Sequence, residues 1–252
     1  MIYFVGAGSG APDLITVRGA RLLEKAGCVV YAGSLVNPEL LSLCPEGCEI
    51  HDSARMTLEE VIGVLLAAER AGKLTIRLHT GDPCVYGAIR EQMELLDEAG
   101  VSYTVVPGVS SFCGAASALP AEYTVPGVSQ TVILTRMAGR TPVPKGQELA
   151  ALASHRASMA LFLSAGLLEE AQAELLRGGY REDTPAAIVY KATWPDERVF
   201  RCTVSTLAQT AKENGIGKTA LILVGDFLGS GGERSLLYDP SFTTGYREAK
   251  QS

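Results

Sequence analysis

Short β-branched runs alternate with longer helical stretches through the first half of the chain, and this alternation restricts the fold more than any other feature. Residues 2–5, 28–31, 74–78 and 102–106 read as strands. Thr16 is placed to cap a helix over 17–26, with Gly27 at its left-handed stop. Thr57 and Glu60 have capping-box spacing at the head of a helix ending near Gly72, and 88–99 reads as a helix closed by Gly100. Strands separated by helices are joined by right-handed crossovers, so this half predicts a largely parallel sheet.

Beyond the small-residue stretch 114–121 the pattern restarts and changes. Strands are predicted at 131–135, 159–163, 186–190, 199–204 and 221–224, and helices at 147–153 and 167–177. The runs 186–190 and 199–204 are close enough to pair antiparallel across Thr193-Trp194-Pro195-Asp196. The expected architecture is α/β: a mostly parallel sheet in a first domain over 1–117, a mixed sheet in a second over 118–232, and a polar surface tail over 233–252. No internal repeat or low-complexity segment interrupts it.

Composition excludes several classes. With 47% hydrophobic residues in a chain of 252, there is material for a sizeable core and no reason to expect disorder. No apolar run reaches the ~18 residues of a membrane span, and Met1-Ile2-Tyr3-Phe4-Val5-Gly6 lacks the basic region of a signal peptide. These features predict a soluble cytoplasmic protein with no membrane partner. Cys28, Cys44, Cys48, Cys84, Cys113 and Cys202 are too scattered for a disulfide framework, and with three dispersed histidines no metal site is expected. The net charge of −6 argues against nucleic acid. Between Glu122 and Glu148, however, no acidic residue occurs while Arg136, Arg140 and Lys145 do, a segment suited to an anion.

Gly6-Ala7-Gly8-Ser9-Gly10-Ala11 matches the loose dinucleotide pattern G-x-G-x-x-G/A. That site needs a helix starting at the glycines and a carboxylate after the second strand. Here Pro12-Asp13-Leu14-Ile15 intervenes before Thr16, and the second strand ends Val30-Tyr31-Ala32-Gly33. Gly217-Lys218-Thr219 fails as a phosphate loop because Lys212 stands where a glycine is required. Three loops carry better signals: 6–14, Thr80-Gly81-Asp82-Pro83 and Pro107-Gly108-Val109-Ser110-Ser111, the second flanked by Val85 and Tyr86. All leave carboxyl ends of predicted parallel strands, where such sheets bind small molecules. No nucleophilic triad or carboxylate pair is visible, which permits a reaction needing mainly orientation of an activated reagent, such as methyl transfer from a sulfonium.

At these loops the chain resembles the tetrapyrrole methyltransferase family. The blocks are Val5-Gly6-Ala7-Gly8 with Pro12-Asp13-Leu14-Ile15-Thr16, Thr80-Gly81-Asp82-Pro83 with Tyr86-Gly87, Val106-Pro107-Gly108-Val109-Ser110-Ser111, and Leu221-Ile222-Leu223-Val224-Gly225. Within the family, Glu122-Tyr123-Thr124-Val125-Pro126, the run Ser129 to Arg136, Gly139-Arg140-Thr141-Pro142 and Trp194-Pro195-Asp196-Glu197 resemble the precorrin-4 or cobalt-precorrin-4 C-11 branch. The resemblance implies two α/β domains with S-adenosyl-L-methionine in the cleft between them, a homodimer, and an anionic tetrapyrrole substrate. It implies cofactor contacts at Thr80, Gly81, Asp82, Val85, Ser110 and Ser111, with Tyr86 beside them, and in the second domain at Leu163, Tyr190, Ala192 and Ala220. Arg136 and Arg140 are the candidates for binding substrate acid groups, and Arg18, Glu122 and Tyr123 for contacts near the reacting ring. The aspartate that follows the second-strand tyrosine in the sirohaem-forming branch is replaced by Ala32, so no catalytic base is named. The competing expectations are methylation at another corrin carbon, methylation of a protein side chain, a dinucleotide-dependent oxidoreductase and a non-catalytic binding module.

Overall fold

The computed structural model describes residues 1–249. The backbone forms two compact units, one of residues 1–115 with 191–197, the other of 116–190 with 198–249. The single boundary expected after residue 117 thus misses a second crossing: the segment 191–197 belongs with the first unit.

The first unit contains β1 (Ile2–Gly6), α1 (Val17–Leu23), β2 (Cys28–Tyr31), β3 (Glu49–Asp52), α2 (Leu58–Arg70), β4 (Thr75–His79), α3 (Ile89–Glu98), β5 (Tyr103–Val106) and the start of α4 (Ser111–Ala118). Its sheet has the order β3-β2-β4-β1-β5 and is parallel throughout. The predicted caps form. Thr16 Oγ1 accepts from Gly19 N at 3.1 Å, and Thr57 and Glu60 make the reciprocal capping box. Gly72 and Gly100 stop their helices at φ of +71° and +68°. Gly27 does not act as a left-handed stop: α1 ends earlier, at Leu23, and the Gly27 amide donates to Leu74 O as the chain enters β2.

Buried strands show side chains to both faces. Ile2, Phe4, Cys28 and Val30 pack with Val61, Leu65 and Leu96 on one side of the sheet. Val5, Val29, Ile76 and Leu78 pack with Leu23 and Leu40 on the other. Each fully buried Leu, Ile or Phe stabilises by about 1.5–3 kcal/mol relative to exposure. Strand β3 was not expected. Its sequence, Glu49-Ile50-His51-Asp52, is charged and largely exposed because it forms the outer edge, where polar side chains discourage further pairing.

The second unit contains the rest of α4, then β6 (Val132–Arg136), α5 (Leu149–Ala153), β7 (Ser158–Phe162), α6 (Leu168–Arg177), β8 (Pro185–Tyr190), β9 (Arg198–Thr203), α7 (Leu207–Glu213) and β10 (Ala220–Val224). Its sheet has the order β6-β7-β10-β8-β9 and is mixed: β6 and β7 run parallel, whereas β10 is antiparallel to β7 and β8, and β8 to β9. Met159, Leu161, Ile188, Ile222 and Val224 pack against Leu149, Leu168, Leu175 and Leu207. Among the described residues no helix is long and apolar enough to cross a membrane.

Candidate functional site

The parallel order places β4, β1 and β5 side by side, so the three loops singled out in the sequence leave neighbouring carboxyl ends. Backbone bonds tie them together. Gly81 N donates to Gly8 O at 2.8 Å, Gly8 N to Gly81 O at 3.3 Å, and Ala7 N to His79 O at 2.7 Å. The loops meet on glycines: a Cβ at Gly108 would lie 2.2 Å from Gly81 O, and one at Gly6 would lie 2.6 Å from Gly108 Cα. No larger residue fits at either position without moving backbone.

Asp82 spends its charge inside this arrangement. Its Oδ1 accepts from Cys84 N at 2.8 Å, and its Oδ2 accepts from Gly108 N at 2.9 Å. One carboxylate therefore staples the loop after β4 to the loop after β5. The turn beyond it is tight, with Tyr86 and Ala88 left-handed at φ of +56° and +50°. Such non-glycine residues cost about 1–3 kcal/mol each and persist where surrounding structure holds them, commonly at ligand sites. Thr80 and Val85 are half-buried, Tyr86 is 45% exposed, and Ser110 is buried just ahead of Ser111, the first residue of α4.

The segment 191–197 completes the first unit's loop cluster, which the sequence did not reveal. Thr193 Oγ1 accepts from Ala11 N at 3.1 Å and lies 3.0 Å from Ser9 Oγ. The indole of Trp194 fills the space a side chain at Gly10 would need, 2.1 Å from a Cβ there. Ala192 is buried and its carbonyl also abuts Gly10, so this expected second-domain contact sits in the first unit instead. Glu197 accepts from Thr193 N at 2.6 Å, closing the turn. In the sequence this turn is marked only as the hairpin connection Thr193 to Asp196 and by the branch likeness of Trp194 to Glu197.

In the second unit, strand register brings other expected contacts to one sheet edge. Arg136 pairs with Phe162, Ile222 with Leu161, and Ala220 with Tyr190, so Leu163, Ala220 and Tyr190 line the end where β6 finishes. Leu163 is left-handed at φ +52° and 70% exposed, an apolar side chain held out of the core at a strained position. The Arg198 guanidinium stacks over the Tyr190 ring at 4.7 Å. Arg136 donates to the carbonyls of Met137, Thr141 and Pro142 at 3.0, 3.2 and 2.8 Å. Its guanidinium thus holds the turn on which exposed Arg140 stands.

The remaining candidates are placed differently. Arg18 is exposed on α1, and Glu122 is exposed with Thr124 Oγ1 donating to it at 3.3 Å. Tyr123 is 8% exposed, packs its ring on Phe227 at 4.9 Å, and lends its carbonyl to Ser158 Oγ. Its ring is thus packed within the second unit. His79, which precedes the Thr80 loop, is buried; desolvation and the neighbouring Arg77 push its pKa down to about 3, so it is neutral near pH 7. Its depressed basicity makes it a poor proton acceptor.

The dinucleotide alternative fails on geometry. A short 3-10 turn, Pro12–Leu14, separates the glycines from α1, so that helix does not begin at them as a dinucleotide site requires. What the loops offer is a backbone-lined cradle with small side chains, opened by the left-handed Gly81 (φ +59°), where even a Cβ would only reach ordinary contact with Ser110 at 3.5 Å. That suits a ligand recognised through amides and carbonyls, as the resemblance implies for S-adenosylmethionine.

Comparison with known proteins agrees. Residues 1–208 match the family described as Tetrapyrrole (Corrin/Porphyrin) Methylases. The chain is 49% identical to a cobalt-precorrin-4 C(11)-methyltransferase of Priestia megaterium over 100% of this chain and 99% of that one. It is 48% identical to a precorrin-4 C(11)-methyltransferase of Mycobacterium tuberculosis, covering 90% and 91% of the two chains. The X-ray structure of a cobalt precorrin-4 methyltransferase, described as a cobalamin biosynthetic enzyme, superposes with a TM-score of 0.89 at 50% identity, covering 91% of this chain and 96% of that one. A uroporphyrin-III C-methyltransferase from Thermus thermophilus complexed with S-adenyl homocysteine gives 0.76 at 29% identity, covering 90% and 98%. The chain belongs to the tetrapyrrole (corrin/porphyrin) methylase family.

Proposed function

We propose that the chain transfers the methyl group of S-adenosyl-L-methionine to C-11 of a precorrin-4 ring, metal-free or cobalt-bearing, in corrin biosynthesis. The observation that carries this reading is the 49% identity, over the whole chain, to a protein of that activity. The cofactor supplies an electrophilic methyl on a sulfonium whose departure leaves a neutral thioether. The chain's own residues supply position. Asp82 fixes the loops after β4 and β5, so that the backbone from Thr80 to Tyr86 and at Ser110 and Ser111 presents a fixed set of amides and carbonyls. Leu163, Tyr190 and Ala220 are the cofactor contacts of the second unit, and Ala192 that of the segment 191–197. Orientation of this kind supplies several kcal/mol without an acid or base.

The tetrapyrrole's carboxylates are met by Arg140, which Arg136 holds in place from behind. Arg18 and Glu122 lie on exposed surface and serve the reacting ring. No residue is assigned as a base, because C-11 belongs to an electron-rich, enamine-like system that attacks the methyl directly. The reading includes a homodimer in the cytoplasm; the six free cysteines fit a reducing compartment. The decisive experiment incubates the protein with labelled S-adenosylmethionine and enzymatically generated precorrin-4, in metal-free and cobalt forms. Label at C-11 supports the assignment. Label at another ring carbon, or none while a positive-control enzyme succeeds, overturns it.

A further inference from the structure

Away from the ligand loops, three chemically different donors converge at the opposite end of the first sheet. Cys28 and Glu49 open β2 and β3 and are direct cross-strand partners, while His51 follows Glu49 by two residues and shares its face. The Cys28 sulfur, a Glu49 carboxylate oxygen and a His51 ring nitrogen all lie within 4.8 Å of one another. Zinc bonds of about 2.0–2.3 Å place tetrahedral donors roughly 3.3–3.8 Å apart, so a shift near an ångström closes the set. The His51 imidazole makes no hydrogen bond among the described residues, its backbone being taken up by pairing with β2. Glu49 gives Oε1 to Lys73, leaving Oε2 without a hydrogen bond among them. We propose that Cys28, Glu49 and His51 form a binding site for a borderline divalent cation of the zinc class, with water completing the coordination.

The donor set selects the ligand. Thiolate and imidazole together exclude magnesium and calcium, which take oxygen, and suit zinc and its neighbours. Lys73, bound to Oε1, orients the Glu49 carboxylate in the way outer partners orient metal ligands. Because β2 and β3 begin here and the ligand loops leave the other end of the same parallel sheet, the ion is remote from methyl transfer. It ties the edge strand to its neighbour, so it stabilises the first unit and leaves the chemistry alone. On binding, the Cys28 proton goes to solvent and the sulfur binds as thiolate.

The test uses the full chain, stripped with chelator and kept reduced with a phosphine, titrated with Zn(II) by calorimetry and with Co(II) by absorption. The expected result is one ion per chain, a thiolate-to-cobalt charge-transfer band, and a higher Tm with Zn(II). His51→Ala, a half-buried position, should weaken binding more than about tenfold, since loss of even an outer partner costs that much. Cys28→Ser should abolish the band. The double variant Cys44→Ser/Cys48→Ser should keep both band and affinity, and S-adenosylhomocysteine binding should be unchanged in His51→Ala. If Cys28→Ser fails to fold, His51→Ala still decides. No saturable binding, binding indifferent to His51→Ala, or a band lost only with Cys44 and Cys48 would each overturn the proposal.

Discussion

Replacing Asp82 separates a staple from a direct ligand contact. In Asp82→Ala the amides of Cys84 and Gly108 lose their carboxylate partners, at 2.8 and 2.9 Å. Hydrogen bonds to charged groups contribute about 1.5–3 kcal/mol each, and the Cys84 bond lies in solvent and falls at or below the bottom of that range. Together the two hold the loop arrangement by about 2 kcal/mol, or roughly 30-fold in a binding constant if the released loops open. Asp82→Asn is the sharper probe. Its amide keeps one acceptor but turns an N–H donor towards the second backbone N–H, whichever way it is flipped. It should therefore weaken S-adenosylhomocysteine nearly as much as alanine does, measured by calorimetry, with thermal unfolding run alongside to show an intact fold. Affinity within about threefold of wild type in Asp82→Ala, about 0.7 kcal/mol, would refute the staple. So would full recovery in Asp82→Asn.

Other perturbations follow from the same geometry. Gly108→Ala sets a methyl 2.2 Å from Gly81 O, and should cost about 1–3 kcal/mol of stability by thermal unfolding as well as cofactor affinity. Arg140→Ala should raise KM for the tetrapyrrole while leaving S-adenosylhomocysteine binding intact. Arg136→Ala should do the same and also loosen the turn, seen as faster amide exchange at 137–141, because three carbonyl partners are lost. His79 has a folded pKa near 3 against an ordinary 6.5, so the unfolded state binds the extra proton. Its contribution to stability is therefore complete above pH 6.5 and falls as pH drops towards 3. His79→Gln should flatten the Tm-against-pH curve in that window; an unchanged slope would show that other groups set it.

How much was legible beforehand follows from what each element depends on. Capping boxes and strand–helix alternation are local, so α2, α3 and the parallel sheet could be read from the residues that make them. The edge strand β3 could not, since its charged sequence carries no apolar period and its identity comes from pairing with β2. Nor could α4, whose small residues give a helix no amphipathic signature. The three candidate loops were legible from glycine and proline, but their mutual bonds were not. The segment 191–197 reads as a hairpin turn in sequence, and it is one; its side chains nonetheless finish a loop more than 180 residues earlier in the chain. The Cys28–Glu49–His51 cluster was invisible for the same reason: the spacing is long, and only the β2–β3 register brings it together.

Two residues expected to contact ligand, Asp82 and Arg136, and Thr193 of the 191–197 turn share a property that bears on the selectivity of the proposed site. Asp82, Arg136 and Thr193 all spend hydrogen bonds on backbone of their own unit. A charged or polar side chain used up in this way transmits shape to the ligand and adds little charge of its own. Leu163, exposed and strained, and exposed Arg140 are of another kind. The fold itself persists with a TM-score of 0.76 at 29% identity in a relative complexed with S-adenyl homocysteine. In the proposed function, discrimination between tetrapyrroles is assigned to the turns that these side chains shape, the one clamped by Arg136 and the one hooked by Thr193. Exchanging those two turns as units should move ring specificity further than exchanging any single charged residue within them.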